Sequence, residues 1–511
     1  MALAPAWDFI AWWYPDIMSV LTKNRFQLLG AVIPLLFFAT LFSVAAADVV
    51  SIWGGARGTI VLKSDGTVWT WGINLPGGKL GVGDATTLVR SLVPVEVHDS
   101  GNVSYLNSIT AIMGGEVNNV ALKADGTVWA WGYNFVGGLG DGTTNDSAVP
   151  IQVGLGAVPP LNSVTKLGGR TYWNLAVKSD GTIWAWGMNQ GGQMGNGTVN
   201  PISGPQVTVP VPVGNSQPGG AINNPVQVSC GYTYGVALLT NSTVWTWGSG
   251  VNGELGYGTN GYTSYAPVPV AGLTNITAIS SGWKHTLALK SDGTVWAWGK
   301  NRNGELGDGT SINRSNAVQV LALSNIVAVS GGDYNSIALR SDGTVWKWGV
   351  NDVGELGIGT TDGTGPGVAT DPVVHATPVQ VAQDTFGNGF SNVVMVSNRD
   401  YHNIAVKSDG SVWMWGANDQ GQCGDGTTND DWRPVPVVGM GPRVSRTLRL
   451  QPGGNQMALN WNTATGEFFS IQYTTNLAAG FTSVIQSNLL ATPPSNTIIV
   501  TNGPGFYRLK F

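Results

Sequence analysis

Charge is scarce in this chain of 511 residues: Asp, Glu, Lys and Arg together make 11%, and the formal net charge is −5. A nucleic-acid binder shows a basic excess or a basic stripe. Neither is present, so no nucleic-acid partner is expected. Only 4 histidines occur, which leaves little general acid–base capacity. Two cysteines, Cys230 and Cys423, give no disulfide framework. They stand at different positions of different repeats and are expected unpaired. H-E-x-x-H, G-x-S-x-G, a P-loop and Cys–His metal spacing are all missing. The reading is of a protein that is not an enzyme, with no cofactor and no metal. The loops 140–146 and 424–430 invite a calcium assignment, but calcium takes about six to eight oxygens and these loops lack the spaced carboxylates of a known motif. Turn-forming Gly and Asp account for both loops without an ion.

What is plentiful is glycine, 73 residues, and tryptophan, 22 residues. Aromatic and β-branched residues are common too, unlike a disordered polar chain. The composition suits many short strands joined by tight turns.

Residues 26–47 are almost wholly apolar, preceded by Lys23 and Arg25 and closed by Ala45-Ala46-Ala47. A basic start, an apolar run and a small-residue cleavage site describe a secretory leader. Residues 1–47 are therefore read as a signal peptide cut after Ala47, with no membrane span left after cleavage. Met18 opens a better-proportioned leader and is the expected true start. The alternative is an uncleaved anchor, since 22 apolar residues can span a bilayer. Either way the rest of the chain faces an extracytoplasmic space, and the expected location is secreted or cell surface.

Seven times a tight turn is followed by Val-Trp-x-Trp-Gly or a close variant. The pairs are Trp69/Trp71, Trp129/Trp131, Trp184/Trp186, Trp245/Trp247, Trp296/Trp298, Trp346/Trp348 and Trp413/Trp415, spaced 60, 55, 61, 51, 50 and 67 residues apart. Self-similarity at such a period marks a repeat architecture. Within one unit, Ile276–Ile279, Thr286–Leu289, Thr294–Trp298 and Val318–Val320 read as four strands with turn signals between them. Asp-Gly precedes the Trp strand in six units, and Asn241-Ser242 replaces it in the fourth. The dipeptide predicts a type I′ hairpin, with some distortion at Ser242. Alternation places both tryptophans of a pair on one face of their strand, as expected of core residues. The residue between them is usually small (Thr70, Ala130, Ala185, Thr246, Ala297), although Lys347 and Met414 depart. Four-stranded units in radial array make a β-propeller. The fold class is all-β: a seven-bladed β-propeller over 48–440, then a small β module over 441–511. How the ring closes stays open. In the tail, Leu448–Leu450, Met457–Trp461, Phe468–Tyr473, Thr497–Val500 and Phe506–Leu509 alternate like strands, as a small β-sandwich would.

The unit x-L-K-S-D-G-T-V-W-x-W-G, N-x-x-G-E-L-G-x-G-T, P-V-x-V resembles the repeat of the regulator of chromosome condensation family. The loop is clear at Gly253–Gly256, Gly304–Gly307 and Gly354–Gly357, and weaker at Gly138-Leu139-Gly140 and Gln193-Met194-Gly195. Cys423 takes the Leu slot in the last repeat. The resemblance implies a seven-bladed propeller. The family's eukaryotic founders exchange nucleotide on a small GTPase and sit on chromatin. Other members are secreted bacterial proteins, one of which, with a signal peptide and seven repeats, inhibits β-lactamases through one face of the ring. The secreted bacterial type is the one this chain resembles. What these activities share is a propeller face that grips another protein. The tail looks loosely like a shortened fibronectin type III module.

In a four-stranded blade the first and third turns open on one face and the second on the other. Counting ten to seven residues back from each turn Asp gives the first-turn residues. They are Arg57; Glu116 and Asn118; Arg170, Tyr172 and Trp173; Tyr232 and Tyr234; Trp283, Lys284 and His285; Asp333, Tyr334 and Asn335; Arg399, Asp400, Tyr401 and His402. Tyr, Trp and Arg are the types enriched in interface hot spots. The expected partner-binding residues are Arg57, Glu116, Arg170, Tyr172, Tyr232, Trp283, Lys284, Asp333, Tyr334, Asp400 and Tyr401. His285 and His402 are expected to be packed instead. On the opposite face Lys63, Lys123, Lys178, Lys290, Arg340 and Lys407 flank the hairpins. A phosphate-binding ring is one reading, and a solvated turn with Asp beside each cation is the preferred one. The expected function is protein binding through the first-turn face. The rivals are a carbohydrate-binding surface protein, an enzyme with a site in the central funnel, and a nucleotide exchange factor.

Overall fold

The computed structural model describes residues 48–441, apart from 156–160, 171, 202–203, 215–221, 223, 260 and 363–373, together with the strands after 448. The leader and Met18 lie outside the described residues. Among the described residues no helix is long and apolar enough to cross a membrane.

Seven four-stranded antiparallel sheets follow one another. Each is built from four consecutive strands, from Val49–Gly55, Gly58–Lys63, Val68–Ile73 and Arg90–Glu96 in blade one to Val393–Arg399, His402–Lys407, Val412–Gly416 and Asp431–Pro436 in blade seven. No strand is exchanged across the closure, which answers the question the sequence left open. The first strands are innermost, and each touches the first strands of both neighbouring blades, blade seven meeting blade one. The strands 449–453, 456–461, 468–474, 483–490, 496–500 and 506–510 form two three-stranded antiparallel sheets.

The hairpin before each Trp strand departs from type I′. Gly66 has φ +82, while Asp65 stays out of the left-handed region. Gly66 N donates to Lys63 O at 3.0 Å and Lys63 N to Thr67 O at 3.0 Å. This is a three-residue loop, a type I turn closed by a left-handed residue in a bulge. The reason is the Asp side chain. Its Oδ1 accepts Thr67 N at 2.9 Å and Thr67 Oγ1 at 2.7 Å, which holds Asp65 in an ordinary turn conformation. Asn241 does the same for Thr243, and Ser242 takes the left-handed position with φ +64. The expected distortion there is confined to that one backbone angle.

The second tryptophan of every pair is buried, at most 1% exposed. Its indole N–H crosses to the preceding blade and donates to a carbonyl of the loop there. The bonds run Trp71 to Gln422, Trp131 to Lys79, Trp186 to Gly138, Trp247 to Gln193, Trp298 to Glu254, Trp348 to Glu305 and Trp415 to Glu355, at 2.7–3.0 Å. A buried indole N–H needs such a partner. The first of these bonds joins blade one to blade seven and so seals the ring. In four blades the residue seven before the turn stitches the other way. Trp173 Nε1 donates to Gly231 O at 2.9 Å, Tyr234 OH to His285 O at 2.5 Å, and His285 Nε2 is bonded to Ser336 Oγ at 2.9 Å. His285 and His402 are buried, and burial pushes both down to about pKa 3. They are neutral packing residues.

The first tryptophan of each pair is mostly half-buried, and in six blades its face carries the cation that flanks the hairpin. Lys63, Lys123, Lys290, Arg340 and Lys407 lie 4.1–4.4 Å from the ring centroids of Trp69, Trp129, Trp296, Trp346 and Trp413, with Lys178 5.4 Å from Trp184. These cations cap tryptophans; they are not gathered around a common centre. Lys347, in the small slot between its tryptophans, is fully buried and donates to Asn335 Oδ1 at 2.8 Å and Asn403 Oδ1 at 2.5 Å. Cys230 and Cys423 are free and buried.

Candidate functional site

The first turns are held from beneath by the Trp strand. The Gly that ends that strand has positive φ in every blade, from +93 at Gly72 to +110 at Gly132. A Cβ there would come within 2.2–2.6 Å of a first-turn carbonyl, as at Gly187 against Tyr172 O and Gly416 against Tyr401 O. The next residue donates its N–H to that same carbonyl: Met188 to Tyr172, Lys300 to Lys284, Val350 to Tyr334 and Ala417 to Tyr401, at 2.8–3.1 Å. W-x-W-G therefore builds the core and also fixes the backbone of the face above it. Loops carry function when a rigid scaffold positions them.

On that footing four aromatic rings from four successive blades form one continuous arc. Tyr232 and Trp283 lie 5.5 Å apart, Trp283 and Tyr334 5.2 Å, and Tyr334 and Tyr401 5.8 Å between centroids. The first two contacts are edge-to-face, the geometry aromatic pairs prefer. Lys284 lies over Trp283 at 4.8 Å, and Lys300 lies 4.6 Å from Tyr334 and 5.5 Å from Trp283. Lys300 is also paired with buried Glu305 at 3.4 Å. All four rings are half-buried, which leaves part of each at the surface. Burial pushes the Tyr334 and Tyr172 hydroxyls up to about 12, so both are neutral donors at any ordinary pH.

The expected partner-binding residues thus divide. Tyr232, Trp283, Lys284, Tyr334 and Tyr401 come together in the arc, and Tyr172 is half-buried on the neighbouring blade. Arg57 is exposed with φ +53 in blade one, outside the arc. Arg170 corrects the sequence reading: it is only 2% exposed and turns inward. Its guanidinium spans from blade three to pair with Asp333 of blade six and to donate to Ser281 O at 2.8 Å. Asp400 is half-buried, and burial, then Asp333 and Glu116, hold its carboxyl well above the usual range. Arg170, Asp333 and Asp400, with Glu116 beside them, are the support under the arc. Lys300 was missed, although it follows W-x-W-G and its N–H reaches the first turn. No group of three His, Cys, Asp or Glu placed to hold a metal occurs among the described residues.

The profile of the RCC1-like domain matches residues 78–459, more than half of the chain. The chain belongs to the RCC1-like domain family. It is 33% identical over 266 residues to the mitochondrial RCC1 domain-containing protein RUG3 of Arabidopsis thaliana, covering 51% of this chain and 55% of that one. It is 30% identical over 276 residues to the ultraviolet-B receptor UVR8 of the same plant, covering 53% and 58%. The chain thus matches little more than half the length of either relative. Among solved structures, Prp20p of Saccharomyces cerevisiae superposes with a TM-score of 0.59 at 23% identity, covering 74% of this chain and 87% of that one. These relatives are eukaryotic, and the secreted bacterial members have no counterpart among them.

One blade junction of this RCC1-like propeller is filled by a titratable side chain. Position seven before the turn is Gly58 in blade one, which has no side chain to reach blade two. Lys79 fills the gap from the loop, at the slot that holds Glu254, Glu305 and Glu355 in later blades. It is 5% exposed, and its Nζ donates to Ala56 O and Glu116 O, each at 2.9 Å. Burial, then Arg399, lowers its pKa to about 7. The unfolded chain keeps this proton up to the ordinary lysine range, whereas the folded chain releases it near 7. Between about pH 7 and 10 the unfolded state therefore binds more protons, and stability rises with pH by up to about 1.4 kcal/mol per unit. Urea midpoints at pH 7, 8 and 9 are expected to climb in the wild type and to climb less in Lys79→Met. Parallel slopes in the two proteins would contradict this account of Lys79.

Proposed function

We propose that this chain is a non-enzymatic protein of the cell surface or exterior that binds another protein through the first-turn face of its propeller. The observation that carries this is the continuous arc of Tyr232, Trp283, Tyr334 and Tyr401, pinned from below by backbone bonds. Rigid aromatics at the centre of a surface, with cations beside them, are what interface hot spots use. The fold relative Prp20p is described with binding properties to Gsp1p and histones, which supports protein binding as a use of this architecture. The apolar run 26–47 behind Lys23 and Arg25 supports the exterior location.

The test is affinity capture from cell-surface and secreted extract, with the chain recovered from its producing cells as bait. The control bait carries Tyr172→Ala, Trp283→Ala, Tyr334→Ala and Tyr401→Ala together. A protein retained by the wild type alone is the expected result, and sequencing of the recovered bait is expected to begin at Asp48. Retention of a polysaccharide and no protein would replace this reading with the carbohydrate one. An intact leader on the recovered chain would withdraw the cleavage.

A further inference from the structure

Beneath the arc the central channel widens into a cavity of about 250 Å³. The lining is rich in donors. Position ten before the turn is Gly in five blades (Gly55, Gly115, Gly231, Gly282, Gly332). The other two blades place Arg170 and Arg399 there, and both side chains line the cavity. They are 2% and 4% exposed. Arg170 Nε and Arg399 Nη2 have no hydrogen-bond partner among the described residues, and Ser281 Oγ lies beside the Tyr234 hydroxyl. Ser229 Oγ and Ser280 Oγ each accept a backbone N–H from the next blade, at 2.9 and 3.0 Å, which leaves their own hydroxyl protons free for the channel. Among the described residues no carboxylate lines the cavity, although Asp333 pairs with Arg170 beside it. Asn398 Oδ1 is an unpartnered acceptor in the same lining.

Unpaired buried guanidinium N–H groups are costly. The nearby acids Asp333, Glu116 and Asp400 offset part of that cost. Asp333 is engaged by Arg170, and Asp400 is biased towards its neutral form. Burial, then Arg170, pushes Arg399 itself down to about 9, although Asp333, Glu116 and Asp400 pull it the other way. Several inward donors, two of them cationic, call for an oxyanion. The lone acceptor calls for an ion that also carries an O–H. Water needs about 30 Å³ in the liquid, so the volume admits one tetrahedral ion with a few waters.

We propose that this channel binds one hydrogen phosphate ion between Arg170 and Arg399, with its O–H directed to Asn398 Oδ1. The site lies under the proposed docking face but does not depend on it. It is tested by isothermal titration calorimetry of the full chain with sodium phosphate, sodium sulfate and sodium chloride at matched ionic strength. Saturable one-to-one binding of phosphate is expected, at least tenfold tighter than sulfate, with none for chloride. Arg399→Gln is expected to weaken phosphate at least tenfold. If Arg399→Gln does not fold, Ser281→Ala serves in its place, with a severalfold loss expected. No saturable phosphate heat, sulfate binding as tight as phosphate, or a folded variant with unchanged affinity would each overturn the proposal.

Discussion

Trp298→Ala is expected to lower the unfolding free energy by about 3–5 kcal/mol, the range for emptying a large buried aromatic site. Trp298 is fully buried and packs against Val236, Leu255 and Ile279 of the cluster between blades four and five. The loss has two parts. A cavity is left between two blades, and the Glu254 carbonyl loses the indole donor it holds at 2.9 Å. Because seven such bonds tie each blade to its neighbour, the damage falls on a blade junction. Trp296→Ala is the control. That ring is half-buried and its indole nitrogen has no hydrogen-bond partner among the described residues, so its removal costs clearly less. Denaturant unfolding followed by far-ultraviolet circular dichroism compares the two. Equal losses would mean that the second tryptophan does not hold the junction.

The quadruple substitution of Tyr172, Trp283, Tyr334 and Tyr401 by Ala is expected to weaken partner binding by about a thousandfold, about 4 kcal/mol. Each hot-spot truncation alone costs about 2 kcal/mol or more. The four do not sum, because three of the rings touch in series and share their contacts. The fold is expected to survive, since these rings are half-buried above turns fixed by backbone bonds. A smaller part of the binding loss comes from Lys284 and Lys300, whose ammonium groups lie over Trp283 and Tyr334 and are freed when the rings go.

Much of this was legible in the chain. Period and strand alternation specify the blades, because each unit must bury its Trp face against a neighbour. The varied positions between constant flanks marked the first turns, and their aromatic members do meet. The direction of a side chain was harder to read. Arg170 and Tyr172 stand two residues apart in one turn, yet one enters the channel and the other stays near the surface. The clue was present: five of seven blades have Gly where Arg170 and Arg399 stand. The hairpin type was misread because Asp-Gly alone does not report the Thr that follows. Thr67 bonds to Asp65 and selects the turn. In the tail, 483–490 escaped notice as a strand, since S-V-I-Q-S-N-L-L does not alternate cleanly.

The central claim is that the first-turn face is the one that binds. It is tested most directly by measuring the Kd of the captured partner for three folded proteins: the wild type, the quadruple arc variant, and a variant of the opposite face carrying Lys123→Ala and Lys290→Ala. The account predicts a loss of about a thousandfold in the arc variant and an unchanged Kd in the opposite-face variant. An arc variant that binds as tightly as the wild type, or a loss confined to the opposite-face variant, would contradict it.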